Sequence, residues 1–536
     1  MDEDALRDVA GLTYFLDGKV DEDPQRVAAL LTTVVGEAFG GSPTPTQTRD
    51  AAILMNAAGV VINAACRTGD VEALMTAEGW MTSVIDSGLV AGSQYESAAL
   101  YNLANCQTSI ADIRVSLAST QAPERTQMQA WVATRFADHE RLRLARQNLK
   151  SSAMLLDGGL ERSTRWCNLA NTLDHSGRWI EAYDAYVRVL REAPSNGNAA
   201  GNAAVMISRV IGAGWDYEGH LCNLYDQYLR QAKDNRAVTV AVAGEAAAQR
   251  YDHMELTGTD IPPTTPAASG DPYLMWIASH RLALAAALED LGSSSKETRW
   301  DTIGLNQVST KLDAASPPLI FAMLNVLKAD FLVARRLAYE AEEALATTDG
   351  WAQHPTDPGV YADTLNYAVY GEVSSKLILA HRAALDVLDK TAVAVNEHLQ
   401  VGDNPKKVSF RKFWFEDVAC TQLRSALIGH AGLSNAILSL AELAIDMAPD
   451  SLYGHAQLVR NAGTHRFITV HLGITDVESS ATMQAITLET MRETCIEALT
   501  VARAAFIYLV ELLRVFESNK AGSTHAAVPL FLPEMH

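Results

Sequence analysis

Residues Trp166 to Pro194, reading WCNLANTLDHSGRWIEAYDAYVRVLREAP, constrain this chain more than any other stretch. Bulky and small residues recur at helical spacing on both sides of a central glycine. Ala170 and Ala182 let two helices approach, Gly177 serves the turn between them, Tyr186 fills the groove, and Pro194 ends the second helix. One helix pair of this kind cannot bury its apolar face alone, so it stacks on further pairs. Weaker echoes flank it. LYNLAN at 100–105 precedes WCNLAN by 66 residues, and GNAAVMI at 201–207 sits where the next pair should begin.

The unit resembles the tetratricopeptide repeat (TPR), with Trp166, Leu169, Ala170, Gly177, Ala182, Tyr186 and Pro194 on matching places. That resemblance implies a TPR-like superhelix over 90–347 whose concave surface takes a protein or peptide, a possible trigger. The other reading is a plain helical scaffold whose groove is filled by its own chain. Residues 1–89 form a separate helical region with small-residue faces, as in AAILMNAAGVVINAAC at 51–66. Turn-rich loops are expected at 256–272 and 292–304. A break at 348–359 sets off a C-terminal domain over 360–520, and the tail over 521–536 ends in an apolar hook, VPLFLP. The expected fold class is all-α.

Neither membrane nor metal chemistry is expected. No run of eighteen apolar residues occurs and the first residues, MDEDALRD, are acidic, so the expected location is the cytoplasm, with no membrane partner. The six cysteines are scattered without metal-site or redox spacing and read as buried free thiols; neither a metal nor a cofactor is expected. The formal charge of -21 excludes general coating of nucleic acid, because such binding comes from neutralising phosphates. Residues 360–520 carry 14 basic and 18 acidic side chains, so an RNA site there has to be local and cleft-like.

One such site is suggested by LVRNAGTHRF at 458–467, which brings Arg460, Asn461 and His465 close together. Arginine offers a fixed charge and a planar fork of donors to phosphate, and histidine exchanges a proton near neutral pH. Together they suit RNA cleavage without a metal. The looser pattern of Arg, four to six residues, then His recurs at Arg424 with His430, which reads as structural, and at Arg466 with His471. Arg460 and His465 are set apart by context: Asn461 follows the arginine, Arg466 follows the histidine, and the apolar run FITVHL comes next. Upstream, VGDNPKKVSFRKFWFED at 401–417 interleaves Lys406, Lys407, Arg411 and Lys412 with Phe410, Phe413, Trp414 and Phe415. The basic residues suit phosphates; the aromatics either stack bases or anchor the segment on the core. A helix over KLILAHRAALDVLDKTAVAVNEHL buries Leu377, Ala384, Leu388 and Val395. The last long helix carries a seam from Cys495 to Phe516 that closes a bundle or pairs two protomers.

Residues 360–520 resemble the HEPN superfamily (higher eukaryote and prokaryote nucleotide-binding). The segments that carry the resemblance are LDVLDKTAVAVNEHL, KKVSF, LVRNAGTHRFITV and the long closing helix. It implies a HEPN helical bundle that forms a homodimer, with arginine and histidine from both protomers in one cleft. It also implies a metal-independent endoribonuclease of the toxin or antiviral-defence kind, although some members have lost catalysis. On this sequence Arg460 would hold the scissile phosphate, His465 would act as general base or acid, Asn461 would orient the pair, and Asp389 would help position them. Lys406, Lys407, Arg411, Lys412 and Arg466 would hold the RNA. The alternative is a non-catalytic scaffold that binds a protein, peptide or nucleotide. Positions five apart on a regular helix lie about 140° apart, so the catalytic reading needs Gly463 to break the turn or a partner protomer to complete the site.

Overall fold

A computed structural model describes residues 3–39, 43–214, 220–259, 270–288, 300–303, 305, 307–311, 318–347, 364, 366–431, 434–473, 479–519 and 525–529. The expected loops at 256–272, 292–304 and 348–359 lie largely or wholly outside these residues. The fold is all-α with two small sheets. The chain begins with α1 (Glu3–Asp17), α2 (Pro24–Phe39), α3 (Thr48–Thr68), α4 (Val71–Asp86) and α5 (Glu96–Gln121). It continues through α6 (Gln127–Ala137), α7 (His139–Met154), α8 (Gly159–His175), α9 (Trp179–Glu192), α10 (Gly197–Gly212), α11 (His220–Asp234), α12 (Arg236–Ala243), α13 (Glu245–His253) and α14 (Pro272–His280). The C-terminal part holds α15 (Leu319–Thr347), α16 (Glu372–His398), α17 (Phe410–Phe413), α18 (Ser425–Ala431), α19 (Ala436–Asp446), α20 (Gly454–His465) and α21 (Leu488–Asn519).

Helices α1 to α5 pack around their own apolar core, floored by the alanine-rich face of α3. By length and composition α3 would pass as a membrane span, but it packs against α1, α2, α4 and α5. Its solvent face carries Asn56 and Asn63.

The α8–α9 pair forms where the bulky and small positions place it. Trp166, Leu169, Ala170, Ala182 and Tyr186 are all buried, and Gly177 turns the chain at φ 73°. Positive φ alone favours glycine there. Contact demands it as well, since a Cβ on Gly177 would lie 2.8 Å from the Asn435 side chain at the start of α19. Antiparallel neighbours continue through α10 and α11, so this region is consistent with stacked helix repeats. Its inner face is partly filled from within. The Tyr251 ring of α13 lies on Gly201 of α10, and its hydroxyl donates to Asn202 at 2.7 Å.

In the C-terminal part α15 and α16 run side by side and α21 forms the central shaft. From Ala498 to Leu513 almost every α21 side chain is buried, Glu511 being an exception, so the heptad seam is one side of a helix enclosed nearly all round. Leu377, Ala384, Leu388 and Val395 of α16 are buried, as their periodicity requires. Phe410, Phe413, Trp414 and Phe415 are buried too, which makes them anchors of α17 on the core. Strands β1 (Gln307–Lys311) and β5 (His525–Pro529) pair antiparallel, so residues 525–529 of the tail lie along their own chain, and the rest of the expected hook, LFLP at 530–533, lies outside the described residues. Between them in sequence, β2 (Ala368–Val369), β3 (Phe467–His471) and β4 (Met483–Thr487) form a sheet in the order β2-β3-β4, with β3 and β4 parallel. All six cysteines are free. Cys106, Cys167 and Cys495 are buried as expected, whereas Cys66 is exposed because it ends the solvent face of α3.

The two halves share one core and are joined by a buried charge cluster. Arg135 of α6 and Arg146 of α7 pair with Glu442 of α19; Arg146 and Arg178 pair with Asp446. Arg178 also forks onto Glu181 of α9 at 2.6 and 2.8 Å, and Glu181 accepts the hydroxyls of Tyr453 (2.6 Å) and Tyr508 (3.0 Å). Burial alone would raise the Glu442 carboxyl, but the charges of Arg135 and Arg146 and the bonds from Arg135 and Ser176 hold it down at about 2.

Candidate functional site

α20 leaves the charged junction at Tyr453 and runs beside α16, which brings Arg460 over two acids one helical turn apart. The Arg460 Nη2 donates to Asp386 Oδ1 at 2.8 Å and to Asp389 Oδ2 at 2.7 Å. Burial works against the charge of Arg460, yet the bonds and charges of Asp389 and Asp386 outweigh it and keep the guanidinium pKa above its ordinary value. Asp389 is fixed from its other side, where Oδ1 accepts the backbone N–H of Phe410 at 2.8 Å. The same acid therefore positions Arg460 and the start of α17.

A cavity of about 220 Å³ opens at this point. Asp389, Arg411, Lys412, Gln457, Arg460 and Asn461 all line it, so five of the residues nominated from the sequence converge on one concavity. Arg411 and Lys412 are exposed there because α17 buries its aromatics and turns its basic residues outward. Lys406 and Lys407 are exposed on the short 3-10 turn Pro405–Lys407, and Arg466 is exposed just after α20; none of the three lines the cavity. Asn461 is exposed and its side-chain oxygen accepts from Gln457 Nε2 at 2.9 Å, so it does not orient Arg460. Asp389 does that instead, and Asp386 is a second, more exposed anion on the same Nη2.

His465 is the last residue of α20, and its side chain lies outside the described part of the structure. The helix runs unbroken through Gly463, so of the two conditions set by the spacing the break is not met and completion by a partner protomer is left. A glycine inside a helix costs only about 1 kcal/mol, too little to interrupt a helix packed along one side. The backbone positions of Arg460 and His465 thus keep the offset of a regular helix.

Two functional candidates have weaker sequence signals. Asp386 stands three residues before Asp389, a spacing that puts both acids on one face. His381, one further turn back on α16, is fully buried and both ring nitrogens lack hydrogen-bond partners. Burial, then the positive charge of Arg460 and His455, push it down to about 3; an approach of the Ala456 backbone, too poor in geometry for a hydrogen bond, offsets little of this. Arg424 pairs with Asp403 and His430 packs edge-on to Phe516, in keeping with their structural reading.

A larger cavity of about 420 Å³ lies between α8–α10 and α21, lined by Asp174, His175, Trp179, Arg209 and Glu511 among others. These charged and indole groups are already engaged. Arg209 pairs with Asp174, and Trp179 donates its indole N–H to Glu511 at 2.7 Å.

Residues 312–515 match the family model described as LA2681-like HEPN. This supports the HEPN part of the resemblance, and the matched region contains Arg460, its two acids and the 220 Å³ cavity. It begins at 312 and so takes in α15, the partner of α16. No curated protein matches the chain, and no solved structure matches it. The helices before residue 312 are consistent with repeats but match no TPR family.

Proposed function

We propose that the chain is a metal-independent endoribonuclease effector of the toxin or defence kind, with Arg460 and His465 as its catalytic pair. The observation that carries this reading is the convergence of Arg460, Asn461, Asp389, Arg411 and Lys412 on one cavity within the HEPN-matched region. In the reaction, His465 takes the proton from a ribose 2′-hydroxyl, the 2′-oxygen forms a bond to phosphorus, and the bond to the 5′-oxygen breaks. A second acid returns a proton to that leaving oxygen. Arg460 faces the charge that develops on the phosphorane oxygens, held in place beforehand by Asp389. Arg411 and Lys412 bind the flanking phosphates as fixed positive charges.

Arg460 and His465 of one chain keep the offset of a regular helix, and one histidine at the site supplies one proton carrier, so the reading includes a homodimer in which the partner protomer completes the site. Exposed apolar side chains on the elements around α20 suit this pairing: Leu458 on α20 itself, and Phe467 and Met483, which are register partners on β3 and β4. Exposed apolar patches of this kind commonly mark interfaces.

The test is to incubate the protein with total RNA and tRNA in EDTA and to map fragment ends. The expected products carry 2′,3′-cyclic phosphate and 5′-hydroxyl ends; products with 3′-hydroxyl and 5′-phosphate ends, or a requirement for added metal, contradict the proposed chemistry.

A further inference from the structure

Asparagines on the inner helices of this protein repeatedly hold phenols. Asn168 Nδ2 donates to the Tyr101 hydroxyl at 2.8 Å, and the Tyr186 hydroxyl donates to Asn171 Oδ1 at 2.6 Å. The most complete case is on α10, where Tyr251 donates to Asn202 at 2.7 Å and to the Asn198 side chain at 3.0 Å. Its ring rests on Gly201, where a Cβ would come within 2.4 Å of the ring atoms. On α10, then, a glycine floor flanked by asparagine amides receives a tyrosine ring. The physical reason is simple: the bare helix backbone admits a flat ring, and each amide can accept from or donate to the phenol.

The same groups recur near the N-terminus without a ring over them. On α3, Gly59 lies between Asn56 and Asn63 on one helix face, and Asn102 of α5 stands across from it. A Cβ added at Gly59 would meet nothing nearer than the Asn102 amide, at 3.6 Å. Among the described residues no hydrogen bond engages the side chains of Asn56, Asn63 or Asn102. A groove of about 340 Å³ opens here between α1, α3 and α5, and Asp17 and Tyr14 also line it. Tyr14 does not fill it, being 88% exposed. Asp17 is the acid among its lining residues, and the stretch of chain that forms the groove is acidic overall: residues 1–100 carry 15 acidic and 5 basic side chains.

We propose that this groove docks an extended segment of another protein, which lays a tyrosine over Gly59 and carries a lysine or arginine beside it. The phenol bonds to the asparagine amides, and Asp17 with its acidic surroundings takes the basic neighbour. The proposal names a partner class for the effector reading above, but binding is measured without reference to RNA cleavage, so either idea can fail alone.

The test pans the full chain against a displayed library of random linear peptides and measures the selected peptides by fluorescence anisotropy. The expected winners carry tyrosine with lysine or arginine within two residues. Replacing that tyrosine by phenylalanine, or Asn63→Ala in the protein, should each weaken binding about five- to tenfold, the worth of one hydrogen bond to the phenol. Gly59→Leu should abolish binding by occupying the floor. Both substitutions place good helix formers on the solvent side of α3, and Asn63→Ala serves alone if Gly59→Leu does not fold. The proposal is overturned if selected peptides lack tyrosine, if both variants bind them as wild type does, or if no peptide is enriched. Self-association of the wild-type chain that Gly59→Leu abolishes would assign the groove to a second copy and overturn it equally.

Discussion

Arg146 on α7 and Asp446 on α19 meet through two hydrogen bonds, 2.7 and 2.9 Å long, with neither side chain exposed to solvent. Around them Arg135, Arg178, Glu442 and Glu181 complete a cluster of three cations and three anions at the seam between helices α6–α9 and the HEPN-matched bundle. Such clusters add little stability over apolar packing, because desolvation offsets most of the attraction. Their geometric demands are strict, however. The cluster sets how α19, and therefore α20 with Arg460, sits against the rest of the protein.

Removing one partner should expose that cost. Asp446→Asn leaves Arg146 and Arg178 buried without full compensation, and a loss of about 3–5 kcal/mol in unfolding free energy is expected. Urea denaturation measures it; a variant as stable as wild type would mean the arginines reach water. Glu442 adds a pH signature. Its folded pKa of about 2 lies below the value of 4.5 usual for an unfolded glutamate, so its contribution is complete above about pH 4.5. That contribution should fade as the pH falls toward 2, and Glu442→Gln should remove this part of the acid sensitivity.

His381 is expected to oppose stability in acid for a different reason. Its folded pKa of about 3 lies below the 6.5 of a free histidine, so between those values the unfolded chain takes up a proton that the folded chain refuses. Stability tied to His381 is therefore present above pH 6.5 and declines as the pH drops toward 3. His381→Leu should flatten the melting temperature over this window and match or exceed wild type at pH 5, since no hydrogen bond is lost. A variant that melts well below wild type at pH 5 would show that the imidazole has a partner.

Glu511 behaves in the opposite sense. Burial is the largest influence and lifts its carboxyl to about 7, against the pull of the Trp179 bond and the charges of Arg209 and Arg514. The folded chain keeps its proton where the unfolded chain has lost it, so stability falls as the pH rises from about 4.5 to 7. Glu511→Gln keeps an acceptor for Trp179 and removes the ionisation. It should stabilise the protein at pH 8 by roughly 1–3 kcal/mol while leaving stability at pH 4 unchanged; equal effects at both values would remove titration as the cause.

Local spacing made much of this fold legible. Trp166, Ala170, Gly177, Ala182 and Tyr186 describe one hairpin within thirty residues, and the α16 face at Leu377, Ala384, Leu388 and Val395 needs only its own periodicity. The charge cluster was hidden because its partners come from opposite halves of the chain; Arg146 or Asp446 alone reads as an ordinary helix charge. At the site, Arg460, Asn461, Asp389, Arg411 and Lys412 were nominated and are gathered together. Asp386 was passed over although it shares a face with Asp389, and His381 was lost among apolar neighbours. Gly463 does not break α20, because packing along the helix outweighs one glycine, so of the two readings of the Arg460-to-His465 spacing the partner protomer is left.

Asp386 also restrains Arg460. Its side chain is 55% exposed, so the ion pair is worth about 0.2–1 kcal/mol, and an RNA phosphate has to compete with it. Asp386→Asn should tighten RNA binding by roughly 1.5- to 5-fold at low salt, with the gain shrinking as salt rises. Filter binding at two ionic strengths measures this. Weaker binding in the variant would mean that Asp386 positions the arginine for RNA rather than restraining it.

If Arg460 and His465 form the proposed catalytic pair, tRNA cleavage in EDTA separates wild type from His465→Ala, once matched melting curves establish that both are folded. Wild type should cleave, and the variant should lose at least a hundredfold, the usual scale for removing a general acid or base. Equal cleavage by the two proteins would contradict the proposal and take the chemistry away from this helix.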